Sequence, residues 1–179
     1  VLETIVQHAH QSGRKIQIRL VKGAYWDGEI KRAQMAGWSD YAVFQRKSQT
    51  DLSYLTAAQF MLKNRDVIYP MFATHNAYTA AAILDFVAQQ NFDPDSFEFQ
   101  RLYGMGAALD DLLTAQEHCR MRLYAPVGAY EDLLPYLVRR MLENGANASF
   151  VAHLRDDHIS IDRLTMSPVT RVRGESTPE

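Results

Sequence analysis

At 179 residues the chain has the length of about one domain, and its 47 % hydrophobic and 22 % charged residues give an ordinary globular composition, which excludes disordered, collagen-like and fibrous classes. Nineteen Lys and Arg against 21 Asp and Glu leave a net charge of -2, contrary to the basic footprint of a dedicated nucleic-acid binder. The single Cys119 cannot form an internal disulfide and suits a reducing compartment. No basic segment followed by an apolar core opens the chain, as a signal peptide would require. It begins Val1-Leu2-Glu3, without Met and already helical in character, so a piece of something longer is expected.

Residues Leu2 to His10 suit the end of a helix, with Gly13 placed as its C-cap. From Lys15 to Trp26 the pattern alternates: Ile16, Ile18 and Leu20 fall on one strand face and Gln17, Arg19 and Val21 on the other, until Gly23 breaks it. Asp27 to Met35 and Asp51 to Lys63 read as helices, the second with Leu52, Leu55, Ala58 and Leu62 at helical spacing. The uncharged stretch Val67 to Leu84 reaches membrane-spanning length, but Pro70, His75 and Asn76 divide it into strand, turn and helix. Val67 to Ala73 is the strand, and Asn76 caps the helix Thr79 to Gln89. Turn residues Asn91 to Ser96 precede a strand Phe97 to Leu102, a Gly104-Met-Gly106 corner and a helix Leu109 to His118. Met121 to Ala125 is a fourth strand, stopped by Pro126 and Gly128, and Glu131 to Asn144 is a helix ended by Gly145. After about Val151 periodicity is lost, and residues 151–179 read as a linker or frayed end.

Four βα units in tandem imply parallel pairing and an α/β fold. Two architectures remain, an open doubly wound sheet or half of a (β/α)8 barrel. A complete barrel needs roughly 250 residues, so length favours the open sheet. Both folds place their chemistry beyond the carboxyl ends of the strands. Those ends carry Arg19, Lys22, Tyr25 and Trp26, then Thr74, His75 and Asn76, then Gln100, and then Tyr124. Alternation puts Arg19 opposite the aliphatic face, where it needs either a polar ligand or a structural acidic partner. On the helix Glu131 to Asn144, Leu134, Leu137, Val138, Met141 and Leu142 form an apolar stripe, with Tyr136, Arg139, Arg140 and Glu143 opposite. Two adjacent guanidinium groups suit a carboxylate, which Arg can meet with paired donors. The plainer reading is a solvated face with an Arg139 to Glu143 pair.

Other patterns carry less. The Gly104-Met-Gly106 corner lacks the third glycine of a dinucleotide fingerprint. His8 and His10 diverge on a helix, as a surface pair does, and no metal set accompanies His75, which is better placed for cofactor contact. Cys119 reads as a packing residue.

The strings Arg19-Leu-Val-Lys-Gly-Ala-Tyr-Trp26, Glu29-Ile-Lys-Arg-Ala-Gln34, Phe72-Ala-Thr-His-Asn76, Tyr124-Ala-Pro-Val-Gly128 and Tyr136-Leu-Val-Arg-Arg-Met-Leu-Glu-Asn-Gly-Ala-Asn147 together resemble the proline dehydrogenase domain of bifunctional proline utilization A flavoenzymes. The likeness runs in order from about Ile16 to Phe150, and Asp162-Arg-Leu-Thr-Met-Ser-Pro-Val169 resembles the segment leading to that family's aldehyde dehydrogenase domain. The resemblance implies a (β/α)8 TIM-type barrel of which this chain holds the last four βα units. Residues 1–150 would be the second half of that barrel domain and 151–179 the linker onward.

It further implies FAD-dependent oxidation of L-proline to Δ1-pyrroline-5-carboxylate, by hydride transfer from proline C5 to flavin N5, with a quinone as electron acceptor. By the same resemblance Arg19, Val21, Lys22, Gly23, Ala24, Tyr25 and Trp26 would line the flavin, with Arg19 near its reactive nitrogen. Arg46, Lys47, Thr74, His75, Asn76, Gln100 and Leu102 would hold the rest of the FAD, with Glu143 and Ser149 contributing. Arg139 and Arg140 would clamp the proline carboxylate, while Tyr124, Tyr136 and Leu102 pack its ring. The chain departs from the family at Tyr103, where His is common, and at Gln45, where a hydroxyl residue is usual. The family's active-site Lys and Asp come from earlier strands, so this segment alone is expected not to turn over and to need the rest of its polypeptide. A cytoplasmic protein, or one peripheral at the inner face of a bacterial membrane, follows, with no DNA partner indicated by this segment. The alternative is a non-catalytic half-barrel that binds or assembles.

Overall fold

The computed structural model describes residues 1–23, 25–115, 119–154 and 166–175, with 143–154 and 175 described through their backbone. In chain order the elements are α1 (Leu2–Ser12), β1 (Ile16–Val21), α2 (Trp26–Ala36), α3 (Lys47–Lys63), β2 (Ile68–Ala73), α4 (Ala77–Gln89), a 3-10 turn (Pro94–Ser96), β3 (Glu98–Leu102), α5 (Ala107–Ala115), β4 (Met121–Tyr124), α6 (Tyr130–Leu154) and α7 (Pro168–Glu175). The described residues group into two compact units, one drawn from Val1–Lys22 and Ser53–Ala125, the other from Gly23–Leu52 and Pro126–Glu179.

In the first unit the four strands pair in parallel in the order β1-β2-β3-β4. The register runs Ile16↔Ile68 to Val21↔Ala73, Met71↔Glu98 to Ala73↔Gln100, and Phe99↔Met121 to Leu102↔Tyr124. Alternation then separates two faces. Ile16, Ile18, Leu20, Ile68, Phe72 and Phe99 join residues of α1, α3, α4 and α5 in one apolar core. Phe72, Phe97 and Phe99 are its centre, fully buried, with ring centroids 5.7–6.1 Å apart in tilted and edge-on contacts. Cys119 is buried in the same cluster, as a packing residue should be. The opposite face is polar and carries Arg19, Glu98, Gln100, Arg122 and Tyr124.

Several boundaries differ from the sequence reading. Gly13, at φ 63, does close α1, although the helix reaches Ser12. Helix α3 starts at Lys47, not Asp51, and its first turn carries a Lys47 to Asp51 ion pair. Helix α5 covers Ala107–Ala115, and residues 116–118 of the expected helix lie outside the described residues. Gly145 does not end α6, which continues to Leu154. A glycine within a helix costs only about 1 kcal/mol, which the helix formers on either side outweigh. The tail is not without structure either: Pro168 takes the first position of α7, and the Ser167 hydroxyl accepts from the Val169 N–H at 3.3 Å.

Candidate functional site

The first unit gathers polar groups at the carboxyl ends of its strands. Arg19, near the end of β1, has no carboxylate partner among the described residues. Its Nε donates to Gln100 Oε1 at 2.9 Å, and the guanidinium lies 4.9 Å from the centre of the Tyr124 ring. Gln100 Nε2 donates in turn to Glu98 Oε1 at 2.7 Å, and Arg122 closes on both Glu98 oxygens at 2.6 and 2.8 Å. Burial alone would push the Glu98 carboxyl up, but the hydrogen bonds and charge of Arg122 and the Gln100 amide outweigh it, holding the group below the ordinary carboxylate range.

Just past β1, Lys22 Nζ donates to Thr79 Oγ1 at 3.3 Å and sits 5.2 Å from the Tyr54 ring. The Tyr54 hydroxyl reaches the Leu20 and Ala73 carbonyls at 3.3 and 3.4 Å. Burial raises the Tyr54 phenol well above its usual range despite the opposing charge of Arg19.

After β2 the chain turns into α4 through Thr74, His75 and Asn76. Thr74 Oγ1 accepts from the Asn76 N–H at 3.1 Å, and Asn76 Oδ1 caps α4 by accepting from the Thr79 N–H at 2.9 Å. His75 Nε2 accepts the Leu102 N–H at 3.2 Å, which places its ring proton on Nδ1. The ring occupies the space that a side chain at Gly106 would need: a Cβ there would lie 2.9 Å from His75 Cδ2. Gly104 and Gly106 have φ values of 83 and 68, so the corner between β3 and α5 depends on glycine for its backbone, not for a nucleotide fingerprint. Arg101 fastens that corner, its Nε paired with Asp110 and its Nη1 donating to the Met105 carbonyl at 3.2 Å.

In the second unit Tyr25 and Trp26 open α2, and Trp26 Nε1 donates to the Phe44 carbonyl at 3.1 Å. These aromatics, with Gly23, Glu29, Gln45 and Arg46, line a cleft of about 1020 Å³. Lys47 is held by Asp51 at 2.6 Å. On α6 the Arg139 guanidinium lies 5.1 Å from the centre of the Tyr25 ring, and that of Arg140 lies 5.4 Å from Tyr136. This face is not simply solvated, for Arg140 is only 9 % exposed. Arg139 Nε is buried with no hydrogen-bond partner among the described residues. The expected apolar stripe lies open instead, with Met141 and Leu142 71 % and 67 % exposed.

The strands thus bring together Arg19, Gln100 and Tyr124, and separately His75 with Leu102. The second unit brings together Tyr25, Tyr136, Arg139 and Arg140. Ala24 and the side chains of Glu143 and Ser149 lie outside the described residues. Sequence reasoning misses Glu98, Tyr54, Thr79 and Arg122. An acid between Phe97 and Phe99 in a strand is a usable signal, because a charge there needs a partner.

A protein-family model described as proline dehydrogenase matches residues 1–153. Bifunctional protein PutA of Escherichia coli is 50 % identical over 177 residues, covering 96 % of this chain and 13 % of the relative. Proline dehydrogenase 1 of Bacillus subtilis is 33 % identical over 156 residues, covering 84 % of this chain and 46 % of the relative. The crystal structure of a proline utilization A mutant from Bradyrhizobium japonicum superposes with a TM-score of 0.82 at 47 % identity, over 96 % of this chain and 17 % of that one. That of Bdellovibrio bacteriovorus, inactivated by N-propargylglycine, gives 0.83 at 36 % identity, over 99 % and 18 %.

Proposed function

We propose a function from one premise: the chain belongs to the proline dehydrogenase family. Its four parallel strands and their helices are the last four βα units of a (β/α)8 barrel. It spans 13 % of the length of the bifunctional relative from E. coli, so the activity is that of a longer polypeptide to which this segment contributes. The reading is FAD-dependent oxidation of L-proline to Δ1-pyrroline-5-carboxylate, with electrons passed to a quinone. Among the described residues no helix is long and apolar enough to cross a membrane. A cytoplasmic protein that meets its quinone at the membrane surface fits this reading, and residues 151–179 would lead toward an aldehyde dehydrogenase domain.

One observation carries the substrate assignment. Arg139 and Arg140, adjacent on α6, are each set against a tyrosine ring, and a buried Nε of Arg139 lacks an acceptor among the described residues. Two neighbouring guanidinium groups present a donor set matched to a carboxylate, and hydrogen bonds to a charged group contribute about 1.5–3 kcal/mol each. Holding the carboxylate fixes the ring of a bound amino acid, and Tyr124, Tyr136 and Leu102 would pack that ring. For the cofactor, the donors fit: Arg19 is fixed by a neutral amide and an aromatic ring, not neutralised by an acid, which leaves its charge available to an electron-rich ligand. Val21, Lys22, Gly23, Ala24, Tyr25 and Trp26 would line the flavin with Arg19. Arg46, Lys47, Thr74, His75, Asn76, Gln100, Leu102, Glu143 and Ser149 would hold the remainder. When bound, FAD supplies the two-electron acceptor, while the protein supplies orientation and charge.

The experiment uses the natural protein that contains this chain. Its flavin absorbance is recorded, and L-proline is added without oxygen. Bleaching is expected, and Arg139→Met should raise the proline concentration required about 100-fold while flavin stays bound, the loss of one or two charged hydrogen bonds. Bound flavin indifferent to L-proline would overturn the substrate.

A further inference from the structure

We propose that Glu98 is a positioning residue for Arg19, acting through Gln100, so that the guanidinium at the carboxyl end of β1 is presented in a single orientation; the inference rests on the flavin-binding role proposed above for Arg19. Strand register lays out the groups involved. Arg19, Met71 and Glu98 lie in one row across β1, β2 and β3, all on the polar face. Gln100 is one step further along that face, beside Ala73 and Arg122. Glu98 is 4 % exposed and Gln100 5 %, so neither can reorient into solvent.

A primary amide donates at one end and accepts at the other, and nothing in its shape says which end faces which neighbour. An ionised carboxylate only accepts. With Glu98 Oε1 at 2.7 Å, Gln100 must turn its nitrogen toward Glu98 and its oxygen away. That oxygen is the acceptor for Arg19 Nε at 2.9 Å. The bond at Nε fixes the roll of the guanidinium plane, and the Tyr124 ring 4.9 Å away supports its face. Arg122 completes the arrangement by gripping both Glu98 oxygens, which keeps the carboxylate ionised and therefore an acceptor. Glu98 thus acts on Arg19 at one remove, by settling the direction of the amide between them.

The test uses the flavin-loaded natural protein with Glu98→Gln, an isosteric change that makes position 98 both donor and acceptor and frees Gln100 to turn. A crystal structure of the variant should show the hydrogen bond from Arg19 Nε to Gln100 broken, or the Gln100 amide divided between two orientations. The midpoint potential of the flavin should move, and its reduction by L-proline should slow about tenfold with KM little changed, since Arg139 and Arg140 are untouched. Adding Gln100→Glu to Glu98→Gln returns a pure acceptor to Arg19 and should restore the single orientation of its guanidinium in the crystal structure, while the carboxylate now set against Arg19 keeps the flavin potential away from wild type. If Glu98→Gln does not fold, Glu98→Asp keeps an acid that falls short of Gln100 and should give a smaller shift in the same direction. A variant that keeps Arg19 on Gln100 and the wild-type potential overturns the proposal, as does one that merely melts earlier. Wild-type flavin that ignores proline would instead sink the substrate reading, and the variant's crystal structure would still decide the orientation of Arg19.

Discussion

Gly106 offers a measurable link between a backbone corner and His75. Replacing it with alanine places a Cβ at φ 68, a left-handed conformation that costs an L-residue about 1–2 kcal/mol. The same Cβ would stand 2.9 Å from His75 Cδ2, so the ring must move. Its Nε2 holds the Leu102 N–H at 3.2 Å, and losing that bond costs about 1 kcal/mol more, for a total of about 2–3 kcal/mol. Gly104 is the internal control: its φ is 83, but no atom lies within 4 Å of a Cβ built there. Gly104→Ala should therefore carry the backbone cost alone, about 1–2 kcal/mol. Urea unfolding followed by circular dichroism gives both values. A double-mutant cycle with His75→Ala should return a coupling of about 1 kcal/mol, because removing the ring removes the clash. Equal costs at the two glycines, or strict additivity with His75→Ala, would mean that the His75 ring does not press on position 106.

Other outcomes follow from the same structure. Phe72→Ala empties the centre of the aromatic core and should destabilise by about 3–5 kcal/mol in urea unfolding. Asn76→Ala removes the cap of α4 and should cost about 1 kcal/mol, read as faster amide exchange in the first turn of that helix as well as a lower urea midpoint. The Glu98 carboxyl is held below its ordinary value of 4.5, so its stabilisation is complete above that value and lost as pH falls through the depressed folded one. Between pH 5 and 3 the wild type should lose more urea stability than Glu98→Gln; parallel losses would argue against the Arg122 pairing.

The strands are legible because their alternation is clean: Ile16, Ile18 and Leu20 against Gln17, Arg19 and Val21 define both faces of β1, and parallel register carries them across the sheet. Asn76 is legible as a cap because its role is local and set by residue type. The start of α3 is hidden, since Lys47, Ser48, Gln49 and Thr50 show no apolar period and the Lys47 to Asp51 pair forms only once the turn exists. Gly145 reads as a breaker by its usual role but is carried within α6, and the loss of periodicity after Val151 conceals α7, which Pro168 starts. The exposed stripe of Leu134, Leu137, Val138, Met141 and Leu142 shows that periodicity reveals an apolar face without saying what covers it. Glu98 escapes because Arg122 is brought to it by the pairing of β3 with β4, which no local pattern encodes, although Gln100, two residues along the same strand face, is a local neighbour.

Thr74, His75 and Asn76 are three consecutive side chains with three separate obligations. Thr74 closes the turn, His75 reaches across to the backbone of β3, and Asn76 seals the first turn of α4. Such a tripeptide behaves as a joint in which no member is spare. A substitution at one position changes the angle at which the next two meet their partners, so variants here should be strongly epistatic. Drift at this turn would then proceed by coordinated replacement, in which His75 changes only alongside the glycine it leans against.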